Sequence, residues 1–502
     1  MKKQKLPIDT QGGWSNDFAK SSTSSSLQTK ARTYYTGTYN PFRPNYLGQI
    51  SGAFTESPNK VSYNVSTEGY PVNGTIGSNN KGYLILQSGI ISEVDFTVTF
   101  PPTPTNFTAP AGCTFDTYKD IWKYVAPTTL AETVFFTYQT ATTAYVGHAR
   151  VGAIVTRNDT FFALSTMNVP HVGCVSVKNL SYVTDGRYLR SFNADTNTWN
   201  QVDCGSGITL TSVADYGNYV ATIGGNGVST WLFLWDGTSL NLNYKYEIRD
   251  TYATALVNEG GELRVFTYGK NQTTKIKTFS GTGFSEEADF EVPTSLCSSP
   301  SHGMVDVWMN QVVWKASQTV SGVTTDGYIW TYGSPRKNEI PSGGHRVGKL
   351  TTNTSTSGCV KNLYQNNLYV GINNTSVSYL YNVKADESYT SELSSTIRTS
   401  LYELPRLSTI EKIQVWFSSY TVPSAGSSGS SLTIKVYKDY DSTETLSQSI
   451  PTRTDLTTAT YINYHPFTGT IPQVDSFYMD MNFAFCVIRK IVVTYSYEDN
   501  DL

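Results

Sequence analysis

Charge is what this sequence has least of. Its 502 residues hold 37 Lys and Arg against 40 Asp and Glu, so 15% of positions are charged and the net charge is −3. An average soluble protein has about 25% charged residues. A balance this close to zero excludes a nucleic-acid binder that works by bulk electrostatics, because such a binder displaces counterions with a strongly basic surface. The strong helix formers Leu, Glu, Lys and Ala are scarce as well, which excludes a mainly helical chain. No apolar run approaches the roughly 18 residues of a spanning helix, so no membrane insertion is expected. The start, Met1-Lys2-Lys3-Gln4-Lys5, is basic, but Pro7, Asp9 and Gln11 leave no apolar stretch after it, and no secretory leader is expected. Six cysteines, Cys113, Cys174, Cys204, Cys297, Cys359 and Cys486, lie far apart with no C-x-x-C pair. They read as buried free thiols, with no zinc ribbon or disulfide scaffold.

Aromatic, hydroxyl and turn-forming residues fill the space that charge leaves. Aromatics reach 13%, with 35 Tyr, and there are 39 Gly. Ser and Thr together are roughly a quarter of the chain. The chain is too aromatic to be disordered. Tyr, Thr, Val and Phe among Gly and Asn turns predict an all-β protein.

Three textures divide the chain. Residues 1–48 contain the run Ser21-Ser22-Thr23-Ser24-Ser25-Ser26 and few branched aliphatics, and they predict an extended N-terminal arm. Trp14, Tyr34, Tyr35, Tyr39 and Phe42 in that arm predict that it docks on something. Residues 49–385 read as short strands with a weak repeat, in which an aromatic residue closes an apolar run before a polar turn. Phe192, Trp235, Phe279, Tyr332 and Tyr381 are the anchors, spaced by 43, 44, 53 and 49 residues. Periods of about 40 to 50 residues with strands throughout are the signature of β-propeller blades. The anchors support five blades, and stepping back by the period reaches Tyr145 and Phe100. The expected fold is therefore a β-propeller of about six or seven blades. Two fragments, Tyr219–Gly225 and Phe192–Trp199, resemble kelch-type blades but occur in different repeats. Residues 386–502 change to longer alternating strands, such as Leu432, Ile434 and Val436, or Ile413, Val415 and Phe417, or Ile491, Val493, Tyr495 and Tyr497. That pattern predicts a C-terminal antiparallel β-sandwich, with Ser424–Ser431 as a flexible tip.

A convergent catalytic site is hard to find. The five histidines, His148, His171, His302, His345 and His465, are all too widely spaced for a helical metal pair. They read as surface or satisfied residues. No G-x-S-x-G elbow or Walker loop occurs, and Gly224-Gly225-Asn226-Gly227 reads as a blade turn. A sialidase would group arginines around a carboxylate, and Arg150, Arg157, Arg187, Arg190, Arg249 and Arg264 are the candidates. The one approach to an Asp-box, around Asp195, has Asn where Ser and Gly belong. Asp439-Tyr440-Asp441-Ser442-Thr443-Glu444 lacks the Gly of a calcium loop and reads as an exposed hairpin. Glu286-Glu287-Ala288-Asp289 reads as a solvated loop between blades. Trp308, Trp314 and Trp330 read as inter-blade core. No catalytic residue, cofactor or metal site is expected.

The order of arm, propeller and sandwich resembles the tail hub, or nozzle, proteins of tailed bacteriophages. Two segments carry the resemblance. One is Tyr39-Asn40-Pro41-Phe42-Arg43-Pro44-Asn45-Tyr46-Leu47-Gly48, which feeds the first blade. The other is Ser395–Leu404 with Ile410–Phe417 and then Leu432–Tyr437. It rests on pattern over most of the chain and transfers no functional residue. It implies a structural virion protein without catalysis, assembled in the host cytoplasm. Its partners would be copies of itself in a ring, commonly six-fold, other tail or portal-proximal proteins, and DNA passing without sequence-specific contacts. The alternative is a carbohydrate-binding or sialidase-like propeller acting on host-surface glycans.

Overall fold

A computed structural model describes residues 2–8, 34–35, 60–98, 102–125, 131–175, 178–193, 195–269, 273–293, 299–320, 323–333, 342–349, 358–373, 378–383, 395–399, 401–419, 430–439, 441, 443–453, 462–484 and 486–498. The described chain is all-β. It contains eight antiparallel sheets and one short 3-10 turn, His302–Met304. Two compact units result, one of Ser57–Gly327 with Thr351–Lys384, the other of Met1–Glu56, Tyr328–Leu350 and Ala385–Leu502.

Seven of the sheets have four strands each and succeed one another along the chain. Sheets 1 to 6 span residues 71–107, 120–163, 173–203, 209–247, 252–293 and 305–349. Sheet 7 takes three strands from residues 360–383 and a fourth, Lys60–Tyr63, from before sheet 1. The first strands are Pro71–Ile76, Asp120–Val125, Gly173–Val175, Thr209–Tyr216, Tyr252–Glu259, Val305–Trp308 and Val360–Tyr364. Each packs beside the first strand of the next sheet, and Val360–Tyr364 packs beside Pro71–Ile76. The cycle therefore closes on itself.

The apolar core lies between successive sheets. Tyr182 and Leu189 of sheet 3 share one cluster with Val213, Phe233 and Trp235 of sheet 4. Ile223 and Leu232 of sheet 4 share another with Leu256 and Val265 of sheet 5. Phe266 of sheet 5 meets Trp314 of sheet 6 edge to face at 5.2 Å. Leu84 and Val94 of sheet 1 pack with Val61, Tyr369 and Leu380 of sheet 7. A strand covered on both faces reads as a continuous apolar run. This accounts for Leu232-Phe233-Leu234-Trp235, all buried.

All five aromatic anchors lie on third strands, in sheets 3 to 7 in order, and Tyr145 lies on the third strand of sheet 2. Phe100 falls outside the described residues, and the third strand of sheet 1 is Ile91–Asp95. The turns behind the period are also specific. Met309 and Asn310 have φ of 53° and 59°, Gln365 and Asn366 have 51° and 57°. Two successive positive values are what a two-residue hairpin needs to match strand twist. One segment departs from expectation. Glu286-Glu287-Ala288-Asp289 is not a loop between repeats but part of the fourth strand of sheet 5, Phe284–Pro293. An outer strand can carry charges there because one edge has no neighbour to bury them.

The eighth sheet is different in scale. Tyr402–Ser419 and Ile462–Ala484 run for 18 and 23 residues and pair with each other, with Cys486–Tyr497 on the far side of the former. The alternation seen in sequence turns one set of side chains inward. Ile413, Val415, Ile434, Val436, Ile491 and Val493 all belong to a single buried cluster. Lys2–Ile8 is a strand of this sheet, paired with Ile491–Tyr497 from Lys2↔Tyr497 to Ile8↔Ile491. Tyr34–Tyr35 pairs with Ile397 and Arg398. The rest of segment 1–48, including Tyr39–Gly48, lies outside the described residues, as does the Ser424–Gly429 stretch.

Candidate functional site

Residues in, or just before, the first strands of all seven sheets line one cavity of about 590 Å³. Sheet 1 contributes Val72 and Asn73, sheet 2 Asp120, sheet 4 Thr211 and sheet 5 Thr254. Pro170 and Val172 lead into sheet 3, His302 and its neighbours into sheet 6, and Gly358 into sheet 7. Three of these strands break register at the cavity, between Pro71 and Asn73, between Leu210 and Ser212, and between Ala253 and Ala255. A bulge inserts one residue and re-aims its neighbours. The inserted residues, Val72, Thr211 and Thr254, are cavity residues.

A buried polar network lies against this cavity. Asp120 is 1% exposed. Its carboxylate accepts the Gly173 N–H at 2.6 Å, the Ile121 N–H at 2.9 Å and the Asn73 side-chain amide. His302 Nε2 stands 3.6 Å from the same carboxylate, beyond hydrogen-bond length. His302 Nδ1 meets Ser212 Oγ at 2.8 Å, and Ser212 Oγ accepts the Leu256 N–H at 3.1 Å. His302 also bonds the Gly173 backbone, so the chain of partners runs from Asn73 through Asp120, Gly173, His302 and Ser212 to Leu256, touching sheets 1 to 5 and the turn before sheet 6. Sheet 7 joins through Cys359, whose N–H donates to Pro71 O at 2.9 Å, and through Asn362, whose N–H donates to Asp306 at 2.8 Å.

Burial governs the titration of these groups. It pushes the Asp120 carboxyl up from 3.8 to about 6, against the hydrogen bonds that favour its charged form. It pushes His302 down from 6.5 to about 3, so the ring is neutral. A neutral ring that accepts the Ser212 hydroxyl at Nδ1 carries its proton on Nε2, facing Asp120. Serine, histidine and aspartate in series have the order of a hydrolytic triad, but Ser212 is fully buried and its oxygen already accepts Leu256. The bonds it makes join sheet 4 to sheet 5 and to the turn before sheet 6. Lys119, beside Asp120, donates to Thr114 O at 2.8 Å, Phe115 O at 2.9 Å, Thr117 O at 3.3 Å and Thr117 Oγ1 at 3.0 Å. Burial lowers it to about 8.

The structure scatters the other candidates. Arg190 pairs with Asp185 at 2.7 Å within sheet 3. Arg264 pairs with Glu259 at 2.7 Å in sheet 5, and Arg157 with Asp159 at 2.7 Å in sheet 2. Arg187 reaches Asp203 at 3.1 Å. None of these arginines lines the cavity. His148 packs at the edge of Phe161, and His171 is buried with Nδ1 on Thr184 O at 3.1 Å. Trp308 and Trp314 are fully buried, as the reading as core expects. Cys113, Cys174, Cys204 and Cys359 are free thiols, the last two buried. The side chains of Cys297, Cys486, His345 and His465 lie outside the described residues. Among the described residues no cluster of three or more His, Cys, Asp or Glu is placed to hold a metal.

Asn73, Asp120 and Ser212 were not legible as functional in the sequence. The one available signal was spacing, since Asn73 and Asp120 open successive first strands 47 residues apart, one period of the repeat. No protein-family model matches the chain, and no curated protein matches its sequence.

Proposed function

We propose that the chain is a non-catalytic structural subunit of a tailed-bacteriophage virion, a tail hub or nozzle type that assembles into a ring around the DNA exit channel. In this reading the seven four-stranded sheets are the blades of one propeller, sealed where Lys60–Tyr63 completes the last blade. The eight-stranded sheet is the sandwich. Its long strand Tyr402–Ser419 breaks register between Glu403 and Ser408, Ser408 and Ile410, and Ile410 and Lys412, which supports a bend. The observation that carries the reading is the combination itself. A closed cycle of small sheets and a separate long-stranded sheet stand in one chain, as the resemblance implies.

Surface chemistry supports it. A channel wall must let DNA slide, and a chain of net charge −3 has little with which to grip phosphates. Interfaces built from Tyr, Thr, Ser and Asn depend on hydrogen bonds and aromatic packing, which salt screens less than ion pairs. The ring would be six-fold by resemblance, with other tail or portal-proximal proteins as neighbours, and would form in the host cytoplasm. Light scattering on the purified protein tests this. A single species of about six subunits, stable in high salt, is expected, and a monomer at all concentrations contradicts it.

The cavity at the strand starts favours a second reading, a propeller that binds host-surface glycans.

A further inference from the structure

We infer that the cavity lined by the seven strand starts is a binding site for a neutral polyhydroxylated ligand, a one- or two-ring saccharide. The inference rests on the cavity alone and needs no particular oligomer, so it and the ring reading fail separately.

Size and position come first. About 590 Å³ lies inside the range of about 300–1,000 Å³ for small-ligand sites. The site is concave, and its wall comes from residues in, or leading into, the first strand of every sheet of the cycle. Its shape is built in rather than left over. Bulges in sheets 1, 4 and 5 turn Val72, Thr211 and Thr254 into it. Bulges recur beside functional sites because they re-aim side chains. The bonds from Asp120 to Gly173, from Gly173 to His302 and from His302 to Ser212 hold the strand starts in place, and a rigid wall lowers the ordering cost of binding.

Wall chemistry then selects the ligand. Tyr118 is 49% exposed at the cavity, and Tyr70 is half-buried there. Aromatic faces suit the C–H faces of a sugar ring. The hydroxyls of Thr211, Thr254 and Ser301 and the amide of Gln87 provide polar partners for its rim. Charge is the discriminating feature. An anion meets few cations in the lining: the Lys119 ammonium is already engaged by the Thr114, Phe115 and Thr117 oxygens, no arginine lines the cavity, and Lys361, whose charge acts on Asp120 and His302, is not a lining residue and donates to Val305 O at 3.4 Å. A metal ion fares no better. The Asp120 carboxylate already accepts two N–H groups and the Asn73 amide, and Asp116 takes the Gln87 amide. What remains favoured is a solute with many hydroxyls and no charge. The same lack of arginine separates this site from a sialidase pocket, and nothing here cleaves the ligand.

Saturation-transfer NMR with the full-length protein tests the inference, using glucose, galactose, N-acetylglucosamine, maltose and lactose as probes, with sialic acid as the anionic comparison. At least one neutral sugar should bind with a millimolar or tighter Kd. Tyr118→Ala, at an exposed side chain that the fold does not need, should weaken it about tenfold while the unfolding curve stays put. Thr254→Val should weaken it as well. Three results overturn the inference: no neutral sugar saturating the protein, affinity unchanged in Tyr118→Ala, or sialic acid binding more tightly than every neutral probe.

Discussion

Replacing Asp120 by alanine removes the acceptor at the centre of the polar ties, and the size of the effect can be worked out from its partners. The substitution leaves the Gly173 N–H, the Ile121 N–H and the Asn73 amide without their acceptor. An orphaned buried donor costs about 1–3 kcal/mol. Three of them give about 3–9 kcal/mol, reduced where water enters from the adjoining cavity. Against this stands the burial of the charge itself. Raising the carboxyl from 3.8 to about 6 means that the ionised form costs the native state about 3 kcal/mol at neutral pH. Taking the middle of that range less the relieved charge burial, the net loss expected for Asp120→Ala is about 3 kcal/mol at pH 7. The pH dependence is sharper. A carboxyl whose native pKa is raised takes up protons in the native state first, so native stability rises as pH falls through about 6 toward 3.8. From pH 7 to pH 5 this adds about 1.3 kcal/mol to the wild type and nothing to Asp120→Ala. The gap between the two proteins should therefore widen by about 1 kcal/mol on acidification. Urea unfolding of both proteins at the two pH values, monitored by tryptophan fluorescence, measures it. A gap that narrows at pH 5, or an alanine variant as stable as wild type at pH 7, would refute this account of the ties.

Single contacts elsewhere set further expectations. His302 is held neutral with its pKa lowered to about 3, so the stability it provides is complete above 6.5 and is lost as pH falls toward 3. His302→Asn should flatten that acid-side loss in a pH series of melting curves, while lowering stability at pH 7 by about 1–2 kcal/mol for the lost Ser212 bond. Gly237 has φ of +83°, and a Cβ there would strike the Tyr182 hydroxyl. Gly237→Ala should cost more than about 2 kcal/mol in urea unfolding. A chain lacking its first 63 residues exposes the edge of Ser378–Val383 that Lys60–Tyr63 covers, and loses Val61 and Tyr63 from the core. Such a chain should aggregate at concentrations where the full chain stays dispersed, as size-exclusion chromatography would show.

The sequence revealed the repeat better than the site, for a physical reason. A third strand lies inside its sheet with neighbours on both faces, so it can carry a continuous apolar run. That makes runs such as Leu232–Trp235 stand out whichever loops surround them. The turn units were harder to phase. Gly217, Gly261, Asn310 and Asn367 fall at junctions of first and second strands, but Asp185–Leu189 joins the second and third strands of sheet 3. The acidic run at Glu286 looked like a loop because an outer strand can be as polar as one. The cavity was illegible because the sheets contribute different residue types, some on first strands and some, such as His302, in the turns before them. Asn73, Asp120, Ser212 and His302 form no motif, and only the closure of the seven strand starts brings them within reach. His302 read as a surface or satisfied residue, and the structure packs it against the Ser212 hydroxyl.

The central claim is that this chain works as a ring-forming virion subunit whose small sheets make one closed propeller. Electron microscopy of the purified full-length protein tests it most directly. The account predicts closed rings of about six subunits around an open channel, with a seven-lobed disc in each subunit. Isolated single subunits that bind glycans and never close into rings would contradict it.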